Sequence, residues 1–481
     1  MIRRYIATKD AGIKAEQSGF RMITSSNTGA ADSIEVSFSY FPTGSFRESR
    51  MLVKFDTNQM TLDRASGKIA DSGSCKFYLN LTPLESERVL MKDAVYNISP
   101  LTKEWDEGTG IDFTGNDYGY PKGLGVTWKY AYSSSLGLTE WTTEGGDYDD
   151  TMVLTSSIHN GVERVSVDVT DIVEQWIDES RDNHGLLVFV SSSYGSSPNQ
   201  IYNFARATQN FASRTSEHFY YKPDIKAMWD DSKKDNRGNF IQSSSVLSSE
   251  DNLNDIYFYN MHRGELKDLS FGQNEYFVRF FTDYTGGDEI ISTPSSPITG
   301  SKVSTGIYSA SVALNTTSSL VYDRWYTTTS GSTPFFTGII NTVNEAGFNY
   351  EQEDQYVVKI TNLKDSYYQN ESPIFRVYTR NLNWTPNVYS TINPNVQVKN
   401  IDEMYYKINR LTDKLTVVDY MTGSMKSTRL SYDVSGSYFR FNMSELESDY
   451  SYEIKLAYFS NGNYKEVPKS FKFRVEKDND R

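Results

Sequence analysis

The chain has 481 residues, a formal net charge of −14 and one cysteine. A single cysteine excludes an intrachain disulfide framework and a cysteine-based zinc site. The negative charge is dispersed and no long Lys/Arg run occurs, which argues against nucleic acid as a partner. The sequence also lacks a run of about 18 apolar residues, so it predicts no membrane-spanning helix.

The composition favours β-structure. Tyr and Phe number 35 and 26, glycine numbers 31, and runs of Ala, Leu, Glu and Lys at helical spacing are almost missing. Aromatic and β-branched side chains pack well on a pleated surface, and glycine favours the turns between short strands. We therefore predict an all-β protein.

Alternating apolar and polar residues predict the first strands at Ile34–Tyr40, Arg50–Asp56 and Cys75–Leu81. Such alternation is typical of a strand with one buried face. Cys75 begins one of these strands, so we expect a buried structural thiol rather than a nucleophile.

Residues 111–150 are rich in Gly, Asp, Tyr, Ser and Thr and are too long for a turn. Long loops in compact domains usually have a function. We expect this loop to lie over one sheet face. Trp128 and Trp141 could stack on sugar rings as a carbohydrate-binding platform, or they could anchor the loop to the sheet.

An acidic turn closes this loop at Asp147, Asp149 and Asp150. Alternating carboxylate oxygens can coordinate calcium, although the spacing is not that of an EF-hand. We consider a structural calcium site here, with a solvated turn as the alternative, and expect no other cofactor.

The most strongly patterned stretch is Val165–Val190. It predicts a strand at Val165–Thr170, a short helix at Asp171–Ile177 with one apolar face, and a buried central strand at Leu186–Val190. Asp168, Thr170 and Asp171 are residue types that begin helices well. We expect Trp176 to pack in the core.

Four motifs occur in order within residues 1–228: LVKFD, LTKEWDEGTG, VSVDVTDIVEQWI followed by NHGLLVFV, and FASRTSEHFYYKPDI. Together they resemble the DNRLRE-type module, a jelly-roll β-sandwich similar to carbohydrate-binding modules. The resemblance implies a jelly roll over 1–228, in which a structural calcium is often held. The insert at 111–150 is richer in Gly and Asp than the simplest members, so the resemblance assigns no ligand face.

Residues 229–252 are charged and rich in serine, which is the composition of a linker. The N-terminal MIRRYIATKDAG, the junction WDDSKKDNRGNF and the later DIYFYNMHRGEL and TGIYSASVAL are similar in pattern to virion structural proteins of tailed bacteriophages. The N-terminus also lacks the apolar region of a secretory signal, so we expect assembly in the host cytoplasm.

Two further groups of regularly spaced strands follow, in residues 253–365 and 366–481. Their length and strand spacing predict two immunoglobulin-like β-sandwiches without the usual disulfide. The predicted architecture is thus an N-terminal jelly roll followed by two smaller immunoglobulin-like sandwiches.

Motifs for catalysis are missing. The four histidines are scattered without HExxH spacing, and no GxSxG, Walker or GxGxxG motif occurs. We predict a non-enzymatic virion component that docks other virion proteins and forms a homo-oligomer. The alternatives are an adhesin that binds a host glycan and, third, a glycosidase with an unassigned carboxylate pair.

Overall fold

The structure, a computed structural model, describes residues 1–18, 21–40, 46–84, 93–113, 125–134, 137–191, 208–273, 275–343, 355–384 and 398–478. Within these ranges strands dominate and two α-helices occur, so the prediction of an all-β sandwich protein is confirmed. The chain divides into a unit of residues Ile2–Trp229 and a unit of Met1 with Asp230–Arg481.

The first unit contains the two helices, α1 (Thr57–Ala65) and α2 (Thr170–Ile177). Its strands are β1 (Ile2–Ser18), β2 (Arg21–Asn27), β3 (Ser33–Tyr40), β4 (Phe46–Phe55), β5 (Lys76–Leu81), β6 (Ala94–Pro100), β7 (Tyr130–Ser134), β8 (Gly137–Glu140), β9 (Leu154–Ile158), β10 (Val165–Asp168), β11 (Leu186–Val190), β12 (Thr208–Ala212) and β13 (Asp224–Met228).

Strand β1 belongs to both sheets of this sandwich. Its first residues, Ile2–Ile6, pair with β13 in a sheet ordered β10-β5-β13-β1. Its later residues pair with β4 in a sheet ordered β1-β4-β11-β6-β9, which β2, β3 and β12 extend. The register shifts between Ala7 and Lys9, where the strand passes from one sheet to the other. Bulges bend strands in this way and allow one strand to serve two sheets.

The patterned stretch Val165–Val190 forms the elements that its sequence predicts. Val165 and Val167 are buried in β10, α2 buries Ile172 and Trp176, and every residue of β11 is buried between β4 and β6. Asp168 accepts a hydrogen bond from the backbone N–H of Thr170 and so stabilises the start of the helix. The predicted strand, helix and central strand and the core position of Trp176 are confirmed, whereas the N-cap residue is Val169, whose side chain makes no capping hydrogen bond.

The second unit begins with a middle module, defined by strands β14–β24. They are β14 (Phe240–Ile241), β15 (Asn254–Tyr259), β16 (Met261–His262), β17 (Glu265–Leu266), β18 (Glu275–Phe281), β19 (Glu289–Ile290), β20 (Ser292–Thr293), β21 (Ile298–Ser304), β22 (Ile307–Leu314), β23 (Leu320–Tyr326) and β24 (Phe336–Val343). One sheet runs in the order β14-β24-β23-β18-β21-β22-β15.

This sheet curls round a single core, because Phe240 from one edge strand and Ile256 from the other pack in the same cluster. The side chain of Asn254 joins the two edges. Its amide donates to the carbonyl of Ile241 at 2.8 Å and accepts from the N–H of Ile241 at 3.0 Å. One amide thus satisfies both backbone groups of a residue in β14, as a neighbouring strand would.

A buried ion pair fixes the segment before β14. Arg237, in a 3-10 helix at Asn236–Gly238, is 6% exposed and binds both carboxylate oxygens of the fully buried Asp323 on β23. Its Nε donates to the carbonyl of Tyr257 at 3.0 Å, and the indole N–H of Trp325 donates to Asp323 at 2.7 Å. All of these groups are charged or polar and buried, so each needs the others as partners.

The C-terminal module is defined by strands β25–β34. They are β25 (Tyr356–Ile360), β26 (Ser366–Tyr368), β27 (Ile374–Asn381), β28 (Met404–Arg410), β29 (Thr416–Val418), β30 (Ser431–Asp433), β31 (Gly436–Arg440), β32 (Ser451–Ser460), β33 (Asn463–Glu466) and β34 (Phe471–Glu476). Strand β25 lies before position 365 in the sequence, and the structure pairs it with β27 of this module.

Two sheets form this sandwich, β25-β27-β31-β30 and β26-β34-β32-β28-β29, with β33 on β32. Aromatic rings fill the space between them. Tyr406 of the second sheet stacks on Phe439 of the first at 4.3 Å between centroids, and Phe375 contacts Phe473 at 6.2 Å. Ring contacts of this kind supply the stabilisation that the immunoglobulin disulfide provides elsewhere.

The segment that composition predicts as a linker carries ordered contacts to both modules of this unit. Its backbone pairs with β30, through hydrogen bonds from Asp235 N–H to the Tyr432 carbonyl and from Tyr432 N–H to the Lys233 carbonyl. Arg237 and β14 follow directly and belong to the middle module. The segment therefore extends one sheet and then enters the next.

We predict that Gly338→Ala destabilises the second unit. A Cβ on Gly338 would collide with Nη1 of Arg237 and lie 2.5 Å from Oδ1 of Asp323, so the ion pair would have to separate. We expect a loss of about 3 kcal/mol in the free energy of unfolding, measured by urea denaturation. Gly423→Ala is the control, since a Cβ there meets no atom within 4 Å. Equal stability of the two variants would contradict this account of the ion pair.

Candidate functional site

The loop after β6 covers the outer face of the sheet that contains β4 and β11. Trp128 and Trp141 pack against Leu52, Leu187 and Phe189 in one buried cluster. The indole N–H of Trp141 donates to the carbonyl of Thr127 at 3.0 Å. The expectation that this loop lies over a sheet face is confirmed for residues 125–134 and 137–150, and positions 114–124 and 135–136 lie outside the described residues.

Both tryptophans proposed for carbohydrate binding are buried, Trp128 with 6% and Trp141 with 5% of its surface exposed. The guanidinium of Arg50 lies 4.7 Å from the ring centre of Trp128 and covers it further. A sugar platform requires an exposed ring face. Neither ring presents one here, and the alternative role of anchoring the loop agrees with their positions.

The acidic turn uses two of its carboxylates to hold its own backbone. Asp147 accepts from the N–H groups of Thr142 and Thr143 at 2.8 and 2.7 Å. Asp149 accepts from Thr151 and pairs with Arg181 at 2.8 Å, and these hydrogen bonds, that of the Thr151 hydroxyl foremost, lower the pKa of Asp149 to about 2.

The third carboxylate of the turn, Asp150, is exposed. Within the described ranges, no three His, Cys, Asp or Glu side chains are grouped so as to hold a metal ion. Calcium at Asp147, Asp149 and Asp150 stays a prediction from the sequence, and the first two carboxylates have protein donors as partners.

A shallow cleft of about 520 Å³ opens beside this turn. It is lined by Thr102, Lys103, Thr142, Thr143, Gly146, Asp147, Tyr148 and Asp150. The lining combines hydroxyls, one ammonium group, carboxylates and one aromatic ring, which are the groups that bind a polyhydroxylated ligand. Lys103 is directed by a hydrogen bond to the carbonyl of Glu140 at 2.5 Å and lies 3.9 Å from Asp147.

A buried carboxylate cluster ties three segments of the first unit together. Asp10 on β1 is fully buried and accepts from the backbone N–H of Arg214 at 2.5 Å. The Arg214 guanidinium pairs with Glu107 at 2.5 and 2.6 Å, and Glu107 accepts from the N–H of Asp10 at 2.9 Å. The cluster joins β1, the loop that starts at Leu101 and the segment after β12.

Burial raises the pKa of Asp10 to about 7. The hydrogen bond from Arg214 N–H opposes this change, and the neighbouring Glu107 carboxylate adds to it. Sequence inspection missed this cluster, because its three members are separated by about a hundred residues each and none lies in a motif.

An exposed apolar surface lies on the outside of the middle module. We call it the apolar face and define it by Ile241, Tyr284, Leu320, Ile339 and Val343. Pairing in register places Val343 beside Ile241 and Ile339 beside Tyr322, whose ring contacts Tyr284 at 5.8 Å. Ile339 and Tyr284 are each 52% exposed, while Ile340 and Phe240 on the opposite face of the sheet are buried in the core.

Comparisons identify no family for the chain. No family model matches it, and no curated protein matches it. Among solved structures, a DUF4785 family protein from Legionella pneumophila is similar at 8% identity over 97% of this chain and 92% of that chain, with a TM-score of 0.14. The FN1-FN3 domains of chicken CNTN1 are similar at 10% identity over 82% and 98%, with a TM-score of 0.13.

The fold follows from the sheets described above, which are those of an all-β sandwich protein. In the part of the chain that the structure describes, no helix combines the length and apolar character needed to cross a membrane.

We predict that the stability of the first unit falls as the pH rises, because of Asp10. A carboxyl group whose pKa is raised by folding stabilises the fold below its unfolded value near 3.8, and this contribution is lost as the pH passes about 7. The difference amounts to at most about 4 kcal/mol. Asp10→Asn should flatten the fall in thermal midpoint between about pH 4 and pH 7.

The control for this prediction is Asp182→Asn, which changes an exposed carboxylate in the same unit. It should keep the wild-type dependence of the thermal midpoint on pH. An Asp10→Asn variant with an unchanged pH profile would show that the Asp10 carboxyl titrates at its ordinary pKa in the folded protein.

Proposed function

We propose that this chain is a structural component of a tailed-phage virion, in the tail, neck or collar, baseplate or fibre attachment. It acts by protein–protein docking and catalyses no reaction. Several copies assemble in the cytoplasm of the bacterial host and join other virion proteins. The similarity in sequence pattern to virion structural proteins, at both the N-terminus and the 229–252 junction, supports this role.

The observation that carries the docking part of the proposal is the distribution of exposed apolar side chains. Twelve of the 24 large apolar side chains that are exposed among the described residues lie between Ile241 and Val343. They are Ile241, Val246, Leu247, Leu253, Met261, Phe271, Tyr284, Ile291, Val303, Leu320, Ile339 and Val343. The other twelve are spread over the rest of the chain.

Contiguous apolar surface in water is costly, and it marks surfaces that bind other macromolecules. The apolar face unites five of these twelve side chains. Four lie on the paired strands β14, β23 and β24, and the fifth, Tyr284, comes from the loop after β18 and contacts Tyr322 of β23. An apolar surface built on hydrogen-bonded strands suits a permanent subunit contact, because its backbone loses little conformational entropy when it is covered.

We predict that Ile339→Lys with Val343→Lys prevents incorporation into particles of the phage that encodes the chain. Two ammonium groups would have to be desolvated at the contact, so the copy number per particle should fall at least about tenfold by quantitative mass spectrometry. Val162→Lys, at a similarly exposed valine of the first unit, is the control and should be incorporated normally.

Cryo-electron microscopy of the intact wild-type particle gives the decisive test. Density for both units at symmetric positions of the tail, neck, baseplate or fibre supports the proposal. A particle that lacks the chain, or one in which the Ile339→Lys and Val343→Lys double variant is present at the wild-type copy number, overturns the role or the docking face respectively.

Glycan binding by the first unit is a second candidate, which the cleft beside the acidic turn favours. A hydrogen bond from a glycan hydroxyl to an ionised carboxylate contributes about 1.5–3 kcal/mol. Asp150→Ala should therefore weaken saturable binding of the intact protein on a glycan array at least about tenfold, while Asp182→Ala leaves it unchanged. An intact protein that binds no glycan on the array would remove this candidate.

A further inference from the structure

The outer face of the sheet β25-β27-β31-β30 carries four cations. Pairing in register places Lys359 beside Tyr378, Arg376 beside Tyr438, and Arg440 beside Ile374. Arg380 lies two positions along β27 from Tyr378 and so points to the same side. Their sequence neighbours Val358, Phe375, Val377 and Phe439 are buried on the opposite side. We call this set, Lys359, Arg376, Arg380 and Arg440, the cationic face.

Few carboxylates neutralise this face. Among the described residues, Asp433 is the one carboxylate within ion-pair distance of the four cations, and it binds Arg376 at 2.6 Å. Lys359 and Arg440 are exposed. Aromatic rings hold the guanidinium groups in place, with Arg376 at 4.7 Å from the ring centre of Tyr438 and Arg380 at 5.7 Å from that of Trp384. Rings that fix an arginine lower the entropy it loses on binding an anion.

The net charge of the chain also differs in sign between its C-terminal part and the rest. Residues 355–481 contain 18 Lys/Arg and 15 Asp/Glu, a formal charge of +3. Residues 1–354 contain 30 Lys/Arg and 47 Asp/Glu, a formal charge of −17. The earlier part of the chain therefore has the net charge that is complementary to a cationic face in the C-terminal module.

The first unit offers a patch of matching charge at α2 and the turn after it. Asp171, Asp178, Glu179 and Asp182 are all exposed there. Among the described residues, none of these four carboxylates lies within ion-pair distance of a Lys or Arg side chain, whereas the nearby Asp149 pairs with Arg181. We call these four residues the acidic patch. The acidic patch has four negative charges, and the cationic face has four positive charges.

We propose that the cationic face of one copy binds the acidic patch of a second copy of this chain. The inference deepens the proposed function and rests on it for its biological setting, since it names the contact through which copies of a virion component join. Because the two surfaces differ, the contact is head-to-tail, and repetition of such a contact builds a ring or a filament. Exposed charges are screened by salt, so the association weakens as ionic strength rises.

Charge exchange in the full-length protein tests the proposal. One variant carries Lys359→Glu with Arg380→Glu, and the other carries Asp178→Lys with Glu179→Lys. Each alone places like charges opposite each other and should stay monomeric in sedimentation velocity. An equimolar mixture of the two offers two contacts of opposite charge, the exchanged pair of surfaces and the unchanged pair that the two variants retain between them, and should associate. The wild type should associate in about 50 mM NaCl and dissociate at least about tenfold more in about 500 mM.

The matched control is Lys472→Glu with Arg474→Glu, two exposed cations on the other sheet of the same module, and it should associate like the wild type. Circular dichroism checks that every variant is folded, which matters most for the variant at Arg380, because this side chain is half-buried and donates to the carbonyls of Asn381 and Trp384. A monomeric wild type in low salt, self-association of either exchanged variant, or a mixture that remains monomeric overturns the proposal. The virion role is judged separately, from the content of the particle.

Discussion

The unit that starts at Asp230 depends on the buried pair of Arg237 and Asp323. Removing two charges from water costs several kcal/mol each, and an ion pair alone seldom compensates for this. Here the pair is bidentate, Tyr257 and Trp325 supply further hydrogen bonds, and Gly338 leaves room beside the guanidinium. Because every buried group of the pair has a partner, the pair fixes where the segment at Arg237 lies on the curled sheet. The position of β14, which starts three residues later, is fixed with it.

This constraint explains why composition is a poor guide to residues 229–252. Charged and serine-rich stretches usually stay solvated, and nothing near Arg237 in the sequence shows that its partner lies 86 positions later. The same holds for Asn254, whose amide replaces a neighbouring strand for Ile241. Contacts between distant residues decide these positions, so local sequence could not predict them.

Periodic patterns, in contrast, were sufficient where burial repeats regularly. The stretch Val165–Val190 forms the predicted strand, helix and central strand because each apolar residue faces the same core that its neighbours face. The covering of a sheet face by the Trp128 and Trp141 loop also followed from aromatic spacing. Anchoring of the loop by both rings was one of the two roles that the sequence predicts, and only the structure decides between it and a sugar platform, since sequence does not show which face of a ring stays open. Asp10 gave no usable signal, because its partners come from two other segments.

The cationic face and the apolar face differ in chemistry, so they would act at different stages of the proposed assembly. Long-range attraction between the cationic face and the acidic patch acts over about 8 Å at physiological salt and raises the rate of encounter. The apolar face has no such reach, but once covered it removes water from large side chains and slows dissociation. In the proposed assembly, the charges of the C-terminal module would therefore set the rate of association, and the apolar face of the middle module would set the rate of dissociation. The buried Arg237–Asp323 pair fixes the segment that has hydrogen bonds to both modules, and so it would link the two steps of the proposed assembly.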